Sequence, residues 1–474
     1  MTPSILAASL VLALGQSPES TDTQENPSAS SFLQTRGSLL LADTDFGAPD
    51  SLTRFHVALD ARTPEFPSGL RAEAGVSVFL LATGTQGISL ADNASFLRLR
   101  YRPSSWAPDE GLALTALPVS STRLYMGYEN PVAWGRQPYR SPQPGGEPGL
   151  ELSLSRRRWD AFVAAKSARV NNGLTLETER RLMLMAGAGV DVSPGFRAEV
   201  KVANVDRGPA PGAGGMGIES PIHARGVSGR LLWHHGVPVG SNVDLALYEG
   251  DPTFFERFFV PDVYPGGFGA SVALEGSYVS QQLLDTASLD PGETRKESAH
   301  AAALVARFKW DLLRLHALAY YRTATFITVD MPGFPYDQAQ APETQLQSEL
   351  SATVGVDYFL RDWGLTPGLL VRVTAPATLE RIYPLSPGLP ISPLVLRGPN
   401  QVSMLPAGED RGLILTARAT ALWDLGEAVG VLAELFYTRD PNQTIFMEDE
   451  TGVDRPVLTS PDLVGGNLLL QVRF

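Results

Sequence analysis

The chain contains no cysteine in 474 residues, which excludes thiolate metal sites, cysteine nucleophiles and a disulfide scaffold. Lysine is almost missing as well. Of the 38 basic residues, only Lys166, Lys201, Lys296 and Lys309 are lysines, and the others are arginines. The formal net charge is −13 and no basic tract occurs, so nucleic-acid binding is excluded as a leading function. There is also no apolar run of about 18 residues, the length a transmembrane helix needs. What the chain does have is glycine (45) and proline (37), set between segments whose apolar residues recur at every second position. That spacing defines the class.

The N-terminus reads as an export signal. Ile5 to Leu14 is a short apolar run, and Ala13-Leu14-Gly15 places small residues at the −3 and −1 positions before Gln16. Residues 1–15 are therefore expected to be a signal peptide. Residues 16–32, rich in Ser, Thr, Pro, Asn and Glu, are expected to form a flexible segment. Residues 33–474 are expected to form one folded unit.

Within that unit the period is two. Phe96-Leu97-Arg98-Leu99-Arg100-Tyr101-Arg102 puts Leu97, Leu99 and Tyr101 on one face and three arginines on the other. The segment 70–80 alternates likewise, as do segments near 33–41, 53–61, 149–156, 158–167, 181–193, 196–206, 223–235, 241–250, 299–310, 312–324, 348–360, 366–376, 411–424, 428–439 and 465–474. Residues 112–128 alternate as if they were one long strand. Short turns (Arg156-Arg157, Ser193-Pro194-Gly195, Gly236 to Gly240, Asp311, 361–365, 425–427) take turns with long polar loops (129–148, 168–180, 207–222, 325–347, 377–410, 440–464). One short-turn side and one long-loop side, with one apolar and one polar face per strand, is the pattern of a transmembrane antiparallel β-barrel. Closure satisfies every backbone group, so such a barrel spans lipid without helices. Counting hairpins gives about 18 strands, within a range of 16–20. The alternating stretch Gly269 to Val279 breaks the parity, so 251–298 is expected to be either one extracellular excursion or, with Phe254 to Tyr264, two further strands.

The last residues, Leu468, Leu470, Val472 and Phe474, share one face and end on an aromatic. This resembles the C-terminal strand of bacterial outer-membrane proteins. The resemblance implies recognition by the barrel-assembly machinery, an outer-membrane location, and contact with outer-membrane lipid and lipopolysaccharide. Gly111 to Gly127 with Asn130-Pro131-Val132-Ala133-Trp134-Gly135, following Ser95 to Pro103, also resembles porin-like barrels of myxobacterial outer membranes. That likeness implies either a channel or a structural or secretion barrel in an envelope complex, such as polysaccharide export or gliding motility. It implies no catalytic residues.

With the apolar faces outward, the inward set is rich in cations: Arg71, Arg98, Arg100, Arg102, Arg197, Lys201, Arg307, Lys309, Arg314, Arg322, Arg372, Arg418 and Arg473. Inward acids are fewer and include Asp60, Glu73, Asp160, Glu199, Asp244, Asp357 and Glu434. A water-filled tube lined by excess guanidinium prefers anions, because low-dielectric walls focus the field. The competing reading is that Arg98, Arg100 and Arg102 pair with Glu73, Asp60 and their neighbours across the strands and merely brace a wide barrel. Other motifs carry less. Pro211 to Gly217 has the glycines of a phosphate-cradling loop without the Gly-Lys-Ser/Thr that should follow. His234 and His235 point to opposite faces and cannot chelate together. The acidic run 448–454 lacks the alternate-position spacing of a calcium loop. Trp159, Trp233, Trp310, Tyr358, Trp363 and Trp423 sit near strand ends, as an interfacial belt would. No enzyme activity, metal or cofactor is expected.

Overall fold

The architecture is that of a computed structural model, which describes residues 33–43, 52–83, 87–92, 95–135, 147–171, 178–209, 221–240, 266–284, 293–329, 344–381, 392–398, 401–426, 429–450 and 452–473. The expected signal peptide, the flexible segment, Phe474 and the glycine-rich stretch 211–217 lie outside the described residues.

The alternating segments close into one antiparallel barrel. Its staves are β1 (Leu33–Asp43), β2 (Leu52–Arg62), β3 (Leu70–Thr83), β4 in two pieces (Gly87–Asp92 and Phe96–Tyr101), β5 (Gly111–Leu117), β6 (Gly149–Arg156), β7 (Trp159–Asn171), β8 (Thr178–Ser193) and β9 (Phe196–Pro209). They continue as β10 (Pro221–Gly236), β11 (Phe268–Leu284), β12 (Thr294–Trp310), β13 (Leu313–Arg322), β14 (Glu349–Tyr358), β15 (Leu365–Ala375), β16 (Ile414–Asp424), β17 (Val429–Arg439) and β18 (Asp462–Arg473). Both pieces of β4 pair with β3, so the 19 hydrogen-bonded segments make eighteen staves. β1 pairs with β2 on one side and with β18 on the other, in register from Arg36 opposite Arg473 to Leu41 opposite Leu468. That last ladder abolishes the sheet edge.

Where side chains are described, the outward face of the staves is apolar over the middle of the barrel. Leu97, Leu99, Val163, Leu184, Val202, Leu231, Leu274, Leu304, Leu369 and Leu435 are all exposed, at alternate positions to inward residues. Trp159, Trp233, Trp310, Tyr358, Trp363 and Trp423 gather at the short-turn end, and Trp423 donates from Nε1 to the Trp363 carbonyl at 2.9 Å. Exposed Tyr278, Tyr321 and Tyr437 mark the other end. From Phe268 to Tyr278 on β11 is about ten residues. At ~3.4 Å per residue and a tilt of ~40° this gives an apolar band of about 25 Å, the thickness a lipid-facing band requires.

Two expectations are corrected. The segment 112–128 is not a single strand: β5 ends at Leu117, before Pro118, and the chain turns inward. The alternating stretch Gly269 to Val279 belongs to β11, which pairs with β10 and β12 over its full length, so 251–298 is not one extracellular excursion. β10 ends and β11 begins at the short-turn end, where Gly236 lies opposite Gly269. The count stays at eighteen because β11 takes the place expected for 241–250. Both 241–250 and Phe254 to Tyr264 lie outside the described residues.

At the long-loop end a four-stranded sheet of Thr344–Gln347, Ala377–Arg381, Leu394–Gly398 and Gln401–Met404 packs on a short helix, α1 (Ala324–Thr328). The acidic run 448–454 falls mostly in an exposed hairpin of Thr444–Glu448 and Asp454–Leu458, where Arg455 pairs with Asp449 at 2.5 Å.

Candidate functional site: a hairpin folded into the lumen

An open barrel should be polar inside. Across β8 to β13 the inward face instead carries Met183, Met185, Ala203, Val205, Ala224, Val279, Ala299, Ala301, Ala303 and Leu318, all buried. They are buried by the chain that leaves β5. Leu124, Met126, Val132 and Trp134 pack onto this wall, each at most 5% exposed, and form one apolar cluster with it. Such burial is worth about 1.5–3 kcal/mol for each side chain. Met126 and Trp134 exchange backbone hydrogen bonds at 2.8 and 2.9 Å, so Leu124 to Gly135 is a hairpin. The wall fits it closely at Gly226, where an added Cβ would come within 2.3 Å of the Trp134 ring.

Charged wall residues then hold the hairpin's polar backbone. Glu275 on β11, 1% exposed, accepts the amide N–H of Tyr128 at 2.8 Å and that of Glu129 at 2.7 Å. Gly127 makes this approach possible. Its φ is +89°, and a Cβ there would stand 2.9 Å from Glu275 Oε1 and 2.8 Å from the Ala133 Cα. Lys201 donates to the Gly127 carbonyl at 2.8 Å and lies 4.3 Å from the centre of the Tyr128 ring, which Arg230 approaches at 4.4 Å. Lys166 donates to the Gly135 carbonyl at 2.5 Å, Arg322 to Pro131 at 3.1 Å, and Ser277 to Val132 at 3.3 Å.

The twelve expected lumen residues fall into distinct environments. Lys201 and Arg322 hold the hairpin, and Arg322 also pairs with Glu349 at 2.7 Å. Arg197 pairs with Asp160, with Asp191 at 3.0 Å and with Glu199 at 2.8 Å, and Glu199 in turn pairs with Arg230 at 2.6 Å. Arg314 is fully buried against Asp357 at 2.6 Å, and His316 shares the same carboxylate at 2.6 Å. Arg418 meets Glu434 at 2.5 Å, and Arg372 donates to Thr353 at 3.2 Å. Arg98 pairs with Glu73 at 3.4 Å and donates to Thr115 at 2.9 Å. Arg100 reaches past the end of β4 to the carbonyls of Asp109 and Glu110, and Arg102 lies in the turn beyond β4, paired with Glu65 at 2.7 Å. Arg71 and Arg307 face inward with no ion pair among the described residues. Bracing therefore accounts for Arg98, Arg102, Arg197, Arg314, Arg322 and Arg418, with Glu65 taking the place expected of Asp60 at Arg102.

The hairpin docks on the wall of β8 to β13, and Phe96 on β4 packs against the same apolar cluster, with the Arg123 guanidinium 5.7 Å from its ring centre. Elsewhere on β2 to β4, Asp60, Arg62, Arg71, Glu73 and Arg98 are only partly buried. A solute passing along the lumen would meet these charges. At the short-turn rim Glu110 is held below the usual carboxylate range, first by the amide N–H of Ala107 and then by that of Arg157, with Arg156 at 3.2 Å adding to the effect. Among the described residues no group of His, Asp and Glu is arranged to hold a metal ion.

Leu468 and Leu470 lie on the outward face of β18, and Val472 keeps their register, while Asn467 and Leu469 turn inward and are buried.

No family model matches the sequence, and no curated protein does. The chain is similar in fold to solved structures that include the outer membrane protein OpdK of Pseudomonas aeruginosa. OccAB1 of Acinetobacter baumannii is 7% identical, with 93% of this chain and 95% of that one covered at a TM-score of 0.45. OccK5 (OpdH) of Pseudomonas aeruginosa is 9% identical, covering 93% and 98% at 0.46. Pseudomonas aeruginosa OpdK, solved with vanillate, is 8% identical, covering 93% and 98% at 0.46.

Proposed function

We propose that the protein is a porin-like channel of a bacterial outer membrane whose passage is narrowed by the lumenal hairpin Leu124 to Gly135. The observation that carries this reading is the hairpin itself, held inside a closed barrel by Lys166, Lys201, Arg322 and Glu275. A purely structural barrel has no need of a polar latch in its lumen. An eighteen-stranded barrel leaves an aqueous interior unless something fills it, and here the filling lies along β8 to β13 and meets Phe96 on β4. The apolar band, the Trp girdle and the division into short turns and long loops support the membrane setting. The Leu468, Leu470, Val472 and Phe474 pattern supports delivery by the barrel-assembly machinery. Within this reading transport, not catalysis, is the activity.

Anion preference is the finer part of the proposal. With most inward arginines neutralised by carboxylates, it rests on Arg71 and Arg307. Planar-bilayer recording of the purified, heat-modifiable barrel tests both parts. An open conductance supports the channel, and a reversal potential favouring anions that moves toward cations in Arg71→Gln supports the preference. A barrel that inserts but never conducts would refute the channel.

A second reading is favoured by one observation. The hairpin of Thr444–Glu448 and Asp454–Leu458 exposes Ile445, Phe446, Met447, Val457 and Leu458 outside the apolar band, and exposed apolar patches of this kind mark interaction surfaces. A role inside an envelope export or motility complex would use it. Mild cross-linking of whole cells discriminates: a partner captured by the native barrel and lost in Phe446→Ser would support this role.

A further inference from the structure

The outer wall is not uniformly apolar up to the long-loop end. On β9 to β12 the outward rows change character just above Tyr278. The row of Val202, Val227, Tyr278 and His300 is followed by one of Asn204, Arg225, Ser280 and Ser298 in direct cross-strand register. One step higher on β12 stands exposed Lys296, opposite Gln282. Arg225 donates from Nε to Asn204 Oδ1 at 3.1 Å, which ties its guanidinium to the neighbouring strand. Among the described residues the acid of this face is Asp206, which pairs with Arg181 at 3.5 Å. The His300 ring packs on Tyr278 with centroids 5.4 Å apart.

A groove of about 540 Å³ runs along the same face, with Leu184, Val202 and Val227 at one end and Asn204, Arg225 and Ser280 at the other. Just below it the wall is pared to glycine. A Cβ at Gly276 would meet nothing within 4 Å, so this place is open toward the membrane. Arg225 and Lys296 are two strands apart and about two residues apart along the strand. Strand spacing and rise put their backbones about 12 Å from one another.

We propose that this face binds a phosphate-bearing glycolipid of the outer leaflet, with Arg225 and Lys296 each taking one phosphate of a bis-phosphorylated disaccharide headgroup. Asn204, Ser280 and Ser298 hydrogen-bond the sugar, and one acyl chain lies in the groove over Gly276. The chemistry follows from the placement. Cations facing lipid, not the lumen, at the height where apolar rows give way to polar ones meet headgroup phosphates, and guanidinium binds phosphate through paired N–H donors. The two-zone groove matches one molecule with a charged head and an apolar tail. The proposal rests on the outer-membrane channel reading above.

Native mass spectrometry of the detergent-solubilised full barrel, with bis-phosphorylated lipid A added, tests it. The native protein retains the lipid and discriminates against phosphatidylglycerol. The Arg225→Gln/Lys296→Gln double variant binds at least about tenfold more weakly, as expected for lost charge-assisted contacts. Gly276→Leu weakens retention roughly fourfold for each methylene displaced, and it has room to fold. Conductance is recorded on the same samples and stays unchanged in both variants. Equal retention by the native and double-variant barrels, or equal retention of phosphatidylglycerol, overturns the site while leaving the channel reading standing. A native barrel that does not conduct overturns the reading beneath it instead.

Discussion

Glu275→Gln tests the latch most sharply, because one buried carboxylate receives two backbone N–H groups at the hairpin tip, 2.8 and 2.7 Å away. A hydrogen bond to a charged group contributes about 1.5–3 kcal/mol. Glutamine offers one acceptor oxygen and turns an NH2 group toward the second N–H, so one bond is lost and the other weakened. Lys201 and Arg230 also lose the nearby negative charge. The net cost to the docked hairpin is about 3 kcal/mol, and ~1.4 kcal/mol is a factor of ten. The undocked population should therefore rise by about two orders of magnitude. Hydrogen exchange read by mass spectrometry over 124–135 reports this directly, since the Met126 and Trp134 amides are protected only by their mutual bonds. Exchange of that peptide should accelerate by roughly a hundredfold while the strand peptides keep their protection. Glu434→Gln, which touches Arg418 and not the hairpin, serves as the control. Unchanged protection over 124–135 in Glu275→Gln would refute the latch.

Three further outcomes are expected. Trp134→Ala removes the side chain seated on Gly226 and should cost the docked hairpin about 3–5 kcal/mol; channel recordings should show frequent larger openings, with the heat-modified gel shift of the barrel unaltered. Asp357→Ala leaves Arg314 and His316 buried without their shared carboxylate, a loss of about 3–5 kcal/mol, seen as a lower unfolding temperature; pairing Asp357→Leu with Arg314→Met should recover part of it. Glu110 is held below the ordinary carboxylate range, chiefly by the amide N–H of Ala107, so its contribution is present above that range and fades as pH falls through and below it. Thermal stability of the native barrel should therefore drop more steeply on acidification below about pH 4.5 than that of Glu110→Gln, and parallel curves would contradict this.

The barrel was legible in the sequence because each stave must show one face to lipid and one to the lumen, and that alternation is written residue by residue, as in Leu97, Arg98, Leu99 and Arg100. Closure and strand number follow from parity and from the two kinds of connection. Period two, however, cannot tell a stave from a hairpin lying on the inner wall. Leu124 and Met126 alternate with their neighbours as well as Leu112 and Leu114 do, and so 112–128 reads as one strand. A signal for the hairpin was present elsewhere: Ala299, Ala301, Ala303 and Val305 on the inward face of β12 make no sense facing water. Gly127 and Glu275 could not be linked from the sequence, since they are distant along the chain and meet only because the hairpin turns back. The neutralisation of the inward arginines was half legible. Arg98 and Glu73 are in cross-strand register, but the reach of Arg102 to Glu65 depends on a turn whose geometry alternation does not encode.

The most direct test of a channel narrowed by its own hairpin compares single-channel conductance of the native barrel with a variant in which Leu124 to Gly135 is replaced by a short Gly-Ser linker. If the hairpin occupies the lumen, the variant conducts several times more current than the native barrel and loses most of its ion selectivity. Identical conductance in the two, with both barrels inserted and heat-modifiable, would show that the hairpin does not set the passage.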